Sequence, residues 1–154
     1  MGVEIERKFL LAGEGWRGLG KPVLLRQGYL CSDPARVVRV RVEDGQGTLT
    51  IKGKSTGATR GEWEYPIPPD EANELLDRLC QQPIIEKYRH RISHGAHVWE
   101  VDEFLGANAG LVVAEIELAS EGEPFDRPAW IGEEVTHDAR YFNSNLMRHP
   151  FAVW

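Results

Sequence analysis

The chain has 154 residues, is 42% hydrophobic and 27% charged, and carries a formal net charge of −6. That length suits one domain spanning 1–154, and the composition excludes low-complexity and disulfide-scaffold classes. The acidic balance argues against a nucleic-acid partner, and no apolar run approaches the roughly 20 residues of a membrane-crossing helix.

The start opens directly into charged alternation, with no secretory signal. Cys31 and Cys80 lie far apart, match no metal spacing and fit a reducing cytosol, so the expected location is cytoplasmic.

The first segment reads Val-Glu-Ile-Glu-Arg-Lys-Phe over 3–9. A strand sends alternate residues to one face, so Glu4, Glu6 and Lys8 share a face opposite Val3, Ile5 and Phe9. Similar alternation predicts strands over 3–11, 23–31, 36–43, 47–52, 61–67, 84–92, 97–104 and 111–119. Turn residues separate them, such as Ser32-Asp33-Pro34 and Asp44-Gly45-Gln46-Gly47.

A helix follows Pro68-Pro69-Asp70, with Ala72, Leu75, Leu76 and Leu79 at helical spacing up to Cys80. The stretch 120–134, with Pro124, Pro128 and Gly132, reads as irregular. A second helix is expected near 138–148, halted by Pro150. The fold class is therefore mainly β with flanking helices (α+β). About eight short strands with hairpin-length connections suggest a closed antiparallel barrel, which removes sheet edges. Helices and the Pro-containing stretch then cover apolar outer faces, leaving a polar bore.

The charged faces recur down the chain. Gln27 and Tyr29 share the polar face of the second strand. Arg39 and Arg41 follow, then Thr48, Thr50 and Lys52, then Glu62 and Glu64. Lys87 and Arg89, Glu100 and Asp102, and Glu115 and Glu117 complete the series. For one strand alone, a solvated outer face over an apolar one is the commoner explanation. Like-charge pairs two residues apart weaken that explanation when they recur.

Paired carboxylates suit Mg²⁺ or Mn²⁺, whereas Lys8, Arg39, Arg41, Lys52, Lys87 and Arg89 suit a row of phosphates. Carboxylates alone repel a polyanion, so both sets cooperate only through a bridging cation. A metal–phosphate complex is the ligand this combination points to. Trp63 and Trp99 oppose the charged faces and are expected in the core.

Glu4-Ile5-Glu6-Arg7-Lys8 resembles the Glu-x-Glu-x-Lys signature of the CYTH superfamily, the triphosphate tunnel metalloenzymes. The resemblance continues through Arg39-Val-Arg41, Lys52, Glu62-Trp-Glu64, Glu86-Lys87-Tyr-Arg89, Trp99-Glu-Val-Asp102 and Glu115-Ile-Glu117. It implies a tunnel that binds a linear triphosphate with one or two divalent metals. Glu4, Glu6, Glu115, Glu117 and Asp102 are then the metal carboxylates. Lys8, Arg39, Arg41, Lys52, Lys87 and Arg89 are the phosphate contacts, and Glu62 and Glu64 are tunnel acids.

The resemblance also puts Tyr29 where bacterial members carry a tunnel tyrosine, and assigns the second helix to plugging one mouth. Arg140, Tyr141, Asn143 and Arg148 lie on it, with a plain surface helix as the alternative.

The implied activity is metal-dependent hydrolysis of inorganic triphosphate, with Glu6 or Glu117 as general base and Lys8 and Tyr29 in catalytic roles. The alternatives are a class IV-type adenylyl cyclase, a thiamine or nucleoside triphosphatase, and a non-catalytic polyphosphate binder. The expected partner is a small triphosphate, without nucleic acid or membrane. Oligomeric state stays open, a homodimer being one option.

Overall fold

The computed structural model describes residues 2–154. Eight strands follow the alternation: β1 (Gly2–Leu11), β2 (Pro22–Cys31), β3 (Arg36–Glu43), β4 (Gln46–Gly53), β5 (Thr59–Ile67), β6 (Ile85–His94), β7 (His97–Phe104) and β8 (Val112–Glu117). They pair in the order β5-β4-β3-β2-β6-β7-β8-β1, and β1 returns to β5 from Gly2↔Glu62 to Ile5↔Thr59. That last pairing closes the barrel and occupies both edges. Between β3 and β4, Asp44 (φ 49°) and Gly45 (φ 73°) supply the two positive dihedrals that a tight two-residue hairpin requires.

A ninth strand departs from expectation. β9 (Ile131–Glu134) lies within the stretch read as irregular and pairs with β1 through Phe9↔Glu134 and Leu11↔Ile131. β5 leaves that edge of β1 after Ile5, and β9 takes over the exposed backbone groups there. Four residues reading Ile-Gly-Glu-Glu carry no alternation of their own.

α1 (Pro69–Arg78) begins with Pro at its first turn, holds Asp70 and Glu71 there, and ends with Arg78. Its buried Ala72 and Leu76 pack over Val40 and Cys80, outside the barrel. Gly47 permits this approach, since a Cβ there would lie 2.8 Å from that of Ala72. The expected second helix is broken instead. A 3-10 turn over Ala139–Tyr141 is followed by extended Phe142 (φ −71°, ψ 130°) and then α2 (Asn143–Arg148).

Much of the apolar core lies on the outside of the barrel wall. Phe9, Trp99, Val101, Ala114 and Ile116 project outward from β1, β7 and β8 and are buried with Trp16 and Trp130. The connection before β9 lays Phe125 and Trp130 against Trp99, with ring centroids 5.8 and 6.0 Å away. Covering apolar outer faces is thus the task of the Pro-containing stretch. Trp63, expected in the core, is only half-buried. Another cluster, with Tyr29, Val37, Ile85, Phe104, Tyr141, Leu146 and Met147, closes one end of the barrel.

Candidate active site

The faces turned away from those apolar clusters meet inside the barrel. Register sets their neighbours: Lys8 lies opposite Glu115, Glu6 opposite Glu117, Lys52 opposite Glu62, and Arg89 opposite Asp102. Tyr29 lies opposite Arg39, and Gln27 opposite Arg41. Lys8, Gln27, Arg39, Thr50, Lys52, Lys87, Arg89, Asp102 and Glu115 are all buried, which no solvated outer face would allow.

The cations are gathered around few counter-ions. Arg89 donates to Asp102 at 2.8 and 2.9 Å, and Lys87 Nζ lies 2.8 Å from Asp102 Oδ2. Burial lowers Lys87 to about 8 against the pull of Asp102, with Arg89 adding to the drop. Burial and the charges of Arg39 and Arg89 lower Arg41 to about 9. Arg39 reaches Thr50 Oγ1 at 3.3 Å, yet its buried Nε has no hydrogen-bond partner among the described residues. An orphaned guanidinium donor beside other cations marks a place for an anion.

The acids divide into two protonation classes. Burial opposes ionisation of Glu4, but Lys52 at 2.8 Å and a hydrogen bond from Glu62 hold it at about 2. Glu62 rises in turn to about 7, through that shared hydrogen bond and through burial. Burial and the charges of Glu115 and Glu4 raise Glu6 to about 8. Glu115 is itself buried, but Lys8, Arg89, Lys87 and the hydrogen bond with Glu6 keep it well below the usual carboxylate range. Partial desolvation and the charges of Glu4 and Glu100 raise Glu117, whose side chain reaches the surface at the end of β8.

Glu6 and Glu62 are thus raised, while their neighbours Glu115 and Glu4 are held low. No three carboxylate, histidine or cysteine side chains converge to metal-holding distance among the described residues. Mg²⁺ needs only one or two carboxylates when water and phosphate oxygens complete its shell. A cation shared with phosphates would replace the proton in Glu6–Glu115 or Glu4–Glu62.

Residues 2–150 match the CYTH domain family. The chain belongs to that family. A protein of Acetivibrio thermocellus named inorganic triphosphatase is 54% identical over 151 residues, covering 98% of this chain and 97% of that one. A second, from Nitrosomonas europaea and with the same name, is 36% identical over 148 residues, covering 93% and 95%. A solved structure of an inorganic triphosphatase superposes with a TM-score of 0.66 at 34% identity, over 93% of this chain and 96% of that one.

The two ends of this CYTH tunnel differ. At one mouth, a cavity of about 290 Å³ opens beside Arg39, Arg41, Glu43, Thr48, Glu64 and Arg91. Arg91 spans this mouth, 2.7 Å from Glu43 and 3.1 Å from Glu100. At the other end, the C-terminal segment reaches inward: Lys8 Nζ donates to the Tyr141 carbonyl at 3.1 Å, and Lys87 Nζ to Asn143 Oδ1 at 2.8 Å. A larger cavity of about 710 Å³, beside Arg7, Glu133 and Glu134, lies outside the barrel wall and holds none of the tunnel bases.

Tyr29 lies at the closed end, where Gln27 donates to its hydroxyl at 3.3 Å. Burial raises its pKa against the lowering charges of Arg39, Arg41 and Lys8, so the phenol keeps its proton. Arg140 and Arg148 lie exposed on the outside of the segment, away from the bore. Arg91 escaped the sequence reading although it continues the Lys87, Arg89 alternation. Gln27, noted only as polar, proves to bridge Arg41 and Asn143.

Proposed function

We propose that this CYTH protein hydrolyses inorganic triphosphate to diphosphate and phosphate inside its tunnel. The observation that carries this reading is the bore itself. Lys8, Arg39, Lys52, Lys87 and Arg89 are buried side by side with Glu115 and Asp102, and Arg39 and Arg41 line the cavity at the open mouth. The names of the relatives point the same way.

Mg²⁺ or Mn²⁺ would be held by one or two of Glu4, Glu6, Glu115 and Glu117 together with water and phosphate oxygens, and would supply neutralisation of phosphate charge and a more acidic water. The six bases bind the phosphate oxygens and stabilise charge developing on the departing diphosphate. Asp102 keeps Lys87 and Arg89 charged and aimed, and we assign its influence on the acid set to that ordering. In the reaction a water oxygen bonds to a terminal phosphorus, the bond to the bridging oxygen breaks, and the water proton passes to Glu6 or Glu117. At the closed end Lys8, and the Tyr29 hydroxyl that accepts from Gln27, would donate to the bound anion. The free thiols Cys31 and Cys80 agree with a cytoplasmic location.

The test is side-by-side kinetics with inorganic triphosphate, diphosphate, ATP and thiamine triphosphate, with product identification. Turnover should vanish in chelator and return with Mg²⁺ or Mn²⁺. Inorganic triphosphate should give the highest kcat/KM, because a nucleoside triphosphate must also place its base and sugar in or beyond the tunnel. Rapid formation of cyclic AMP from ATP, with little phosphate released from triphosphate, would replace this reading by a cyclase.

A further inference from the structure

Lys87, Arg89 and Arg91 share one face of β6, and each step along it comes nearer the open mouth. Lys87 and Arg89 are buried, whereas 41% of the Arg91 side chain is exposed. Glu100 Oε2 sits between the two guanidinium groups, 3.3 Å from Arg89 Nη1 and 3.1 Å from Arg91 Nε. The Nη end of Arg91 turns to Glu43 on β3, beyond β2, and meets both carboxylate oxygens at 2.7 and 3.1 Å. These contacts engage each Arg91 nitrogen once. A guanidinium has five N–H groups, so two are left for another partner.

Arg91 borders the same cavity of about 290 Å³ as Arg39 and Arg41, and of these three it is the one that solvent reaches freely. Glu43, Asp44 and Glu64 border that cavity as well and oppose the entry of a polyanion. Arg91 therefore stands where an anion first meets a forked cation, with an acid holding the fork.

We propose that Arg91 is a further triphosphate-binding residue, that Glu43 occupies it beforehand, and that a phosphate of the entering substrate takes the place of Glu43. The proposal rests on the triphosphatase reading and deepens it. A phosphate offers the guanidinium fork the same pair of oxygens as a carboxylate and carries more charge, so the exchange loses no hydrogen bond. Exposure leaves the side chain room to turn. Glu100 holds Nε throughout, and only the Nη end changes partner. Glu43 is a competitor of the substrate for Arg91, and the two residues have opposite effects on affinity.

The experiment is calorimetric binding, with Mg²⁺, of a triphosphate analogue carrying methylene groups in place of both bridging oxygens, which reads binding without turnover. Arg91→Ala should weaken binding about 10-fold or more, the scale of a lost charge-assisted contact. Arg91→Lys keeps the charge but not the fork and should weaken it about 3-fold or more, a readout that serves if the Ala variant melts early. Glu43→Gln should tighten binding about 3-fold or more, because a neutral amide repels the anion less and holds the fork less firmly. Arg78→Ala, on α1 outside the barrel, removes the same charge and should leave the affinity unchanged.

Unchanged affinity in the folded Arg91 variants overturns the proposal. So does unchanged or weaker binding in Glu43→Gln, the result expected if the pair only braces the mouth. If the affinities move in opposite directions but no phosphate is released from inorganic triphosphate with Mg²⁺ or Mn²⁺, the triphosphatase reading fails and this inference stands.

Discussion

Arg89 and Asp102 face each other across β6 and β7 and form a two-pronged pair, 2.8 and 2.9 Å, with 4% and 1% of their surfaces exposed. Lys87, 1% exposed, shares the same carboxylate. One buried acid therefore serves two cations. Removing one partner of such a group leaves charge buried without compensation, which costs about 3–5 kcal/mol. Asp102→Ala should lower the unfolding free energy by that order in urea titrations and reduce triphosphate turnover as well. A loss below about 1 kcal/mol, the usual worth of an exposed pair, would show that water reaches these groups freely.

Glu6 offers a sharper contrast. Held at about 8, it is a neutral acid in the ligand-free protein near pH 7, and glutamine mimics that form. Glu6→Gln should change stability by no more than about 1 kcal/mol while lowering kcat about 100-fold or more, as expected for loss of a base and cation ligand.

The linkage has a definite sign. The folded protein binds this proton more tightly than an unfolded chain with the ordinary value of 4.5, so the contribution is full below 4.5 and is lost as pH rises through about 8. Ligand-free stability should decline across that interval, and the decline should flatten in Glu6→Gln. An unchanged slope in thermal melts from pH 5 to 8 would contradict the raised value.

Arg7 and Glu134 make the corresponding case on the outer side. The guanidinium donates at 2.8 and 2.5 Å, tying β1 to β9, and Thr136 donates to the same carboxylate at 2.5 Å. The Arg7 hydrogen bond is the main cause that holds Glu134 at about 2. Here the folded value lies below the ordinary 4.5, so the contribution is present above 4.5 and is lost as pH falls toward 2. Glu134→Gln should make acid unfolding less steep and cost about 1 kcal/mol or less at neutral pH, given partial exposure. It should leave kcat/KM for triphosphate unchanged. A large loss of turnover would mean that β9 positions the tunnel acids through β1.

The eight barrel strands were legible because a strand's side chains alternate, and this chain alternates charge against apolar bulk in segment after segment. α1 was legible from its proline start and helical spacing. β9 was not, because its pairing is dictated by an edge of β1 that β5 abandons. The second helix was read as continuous since its composition permits a helix. Extended Phe142 breaks it, and the segment turns inward so that Tyr141 and Asn143 reach Lys8 and Lys87.

Glu4 and Glu6 show where sequence stops. Their spacing alone determines that they share a face with Lys8, and that this face is too charged to be a core. It does not determine that one lies at about 2 and the other at about 8. Lys52 comes to Glu4 from β4, and Glu115 comes to Glu6 from β8. Protonation depends on distance and burial, and both are decided only when the barrel closes and strands remote in the chain become neighbours.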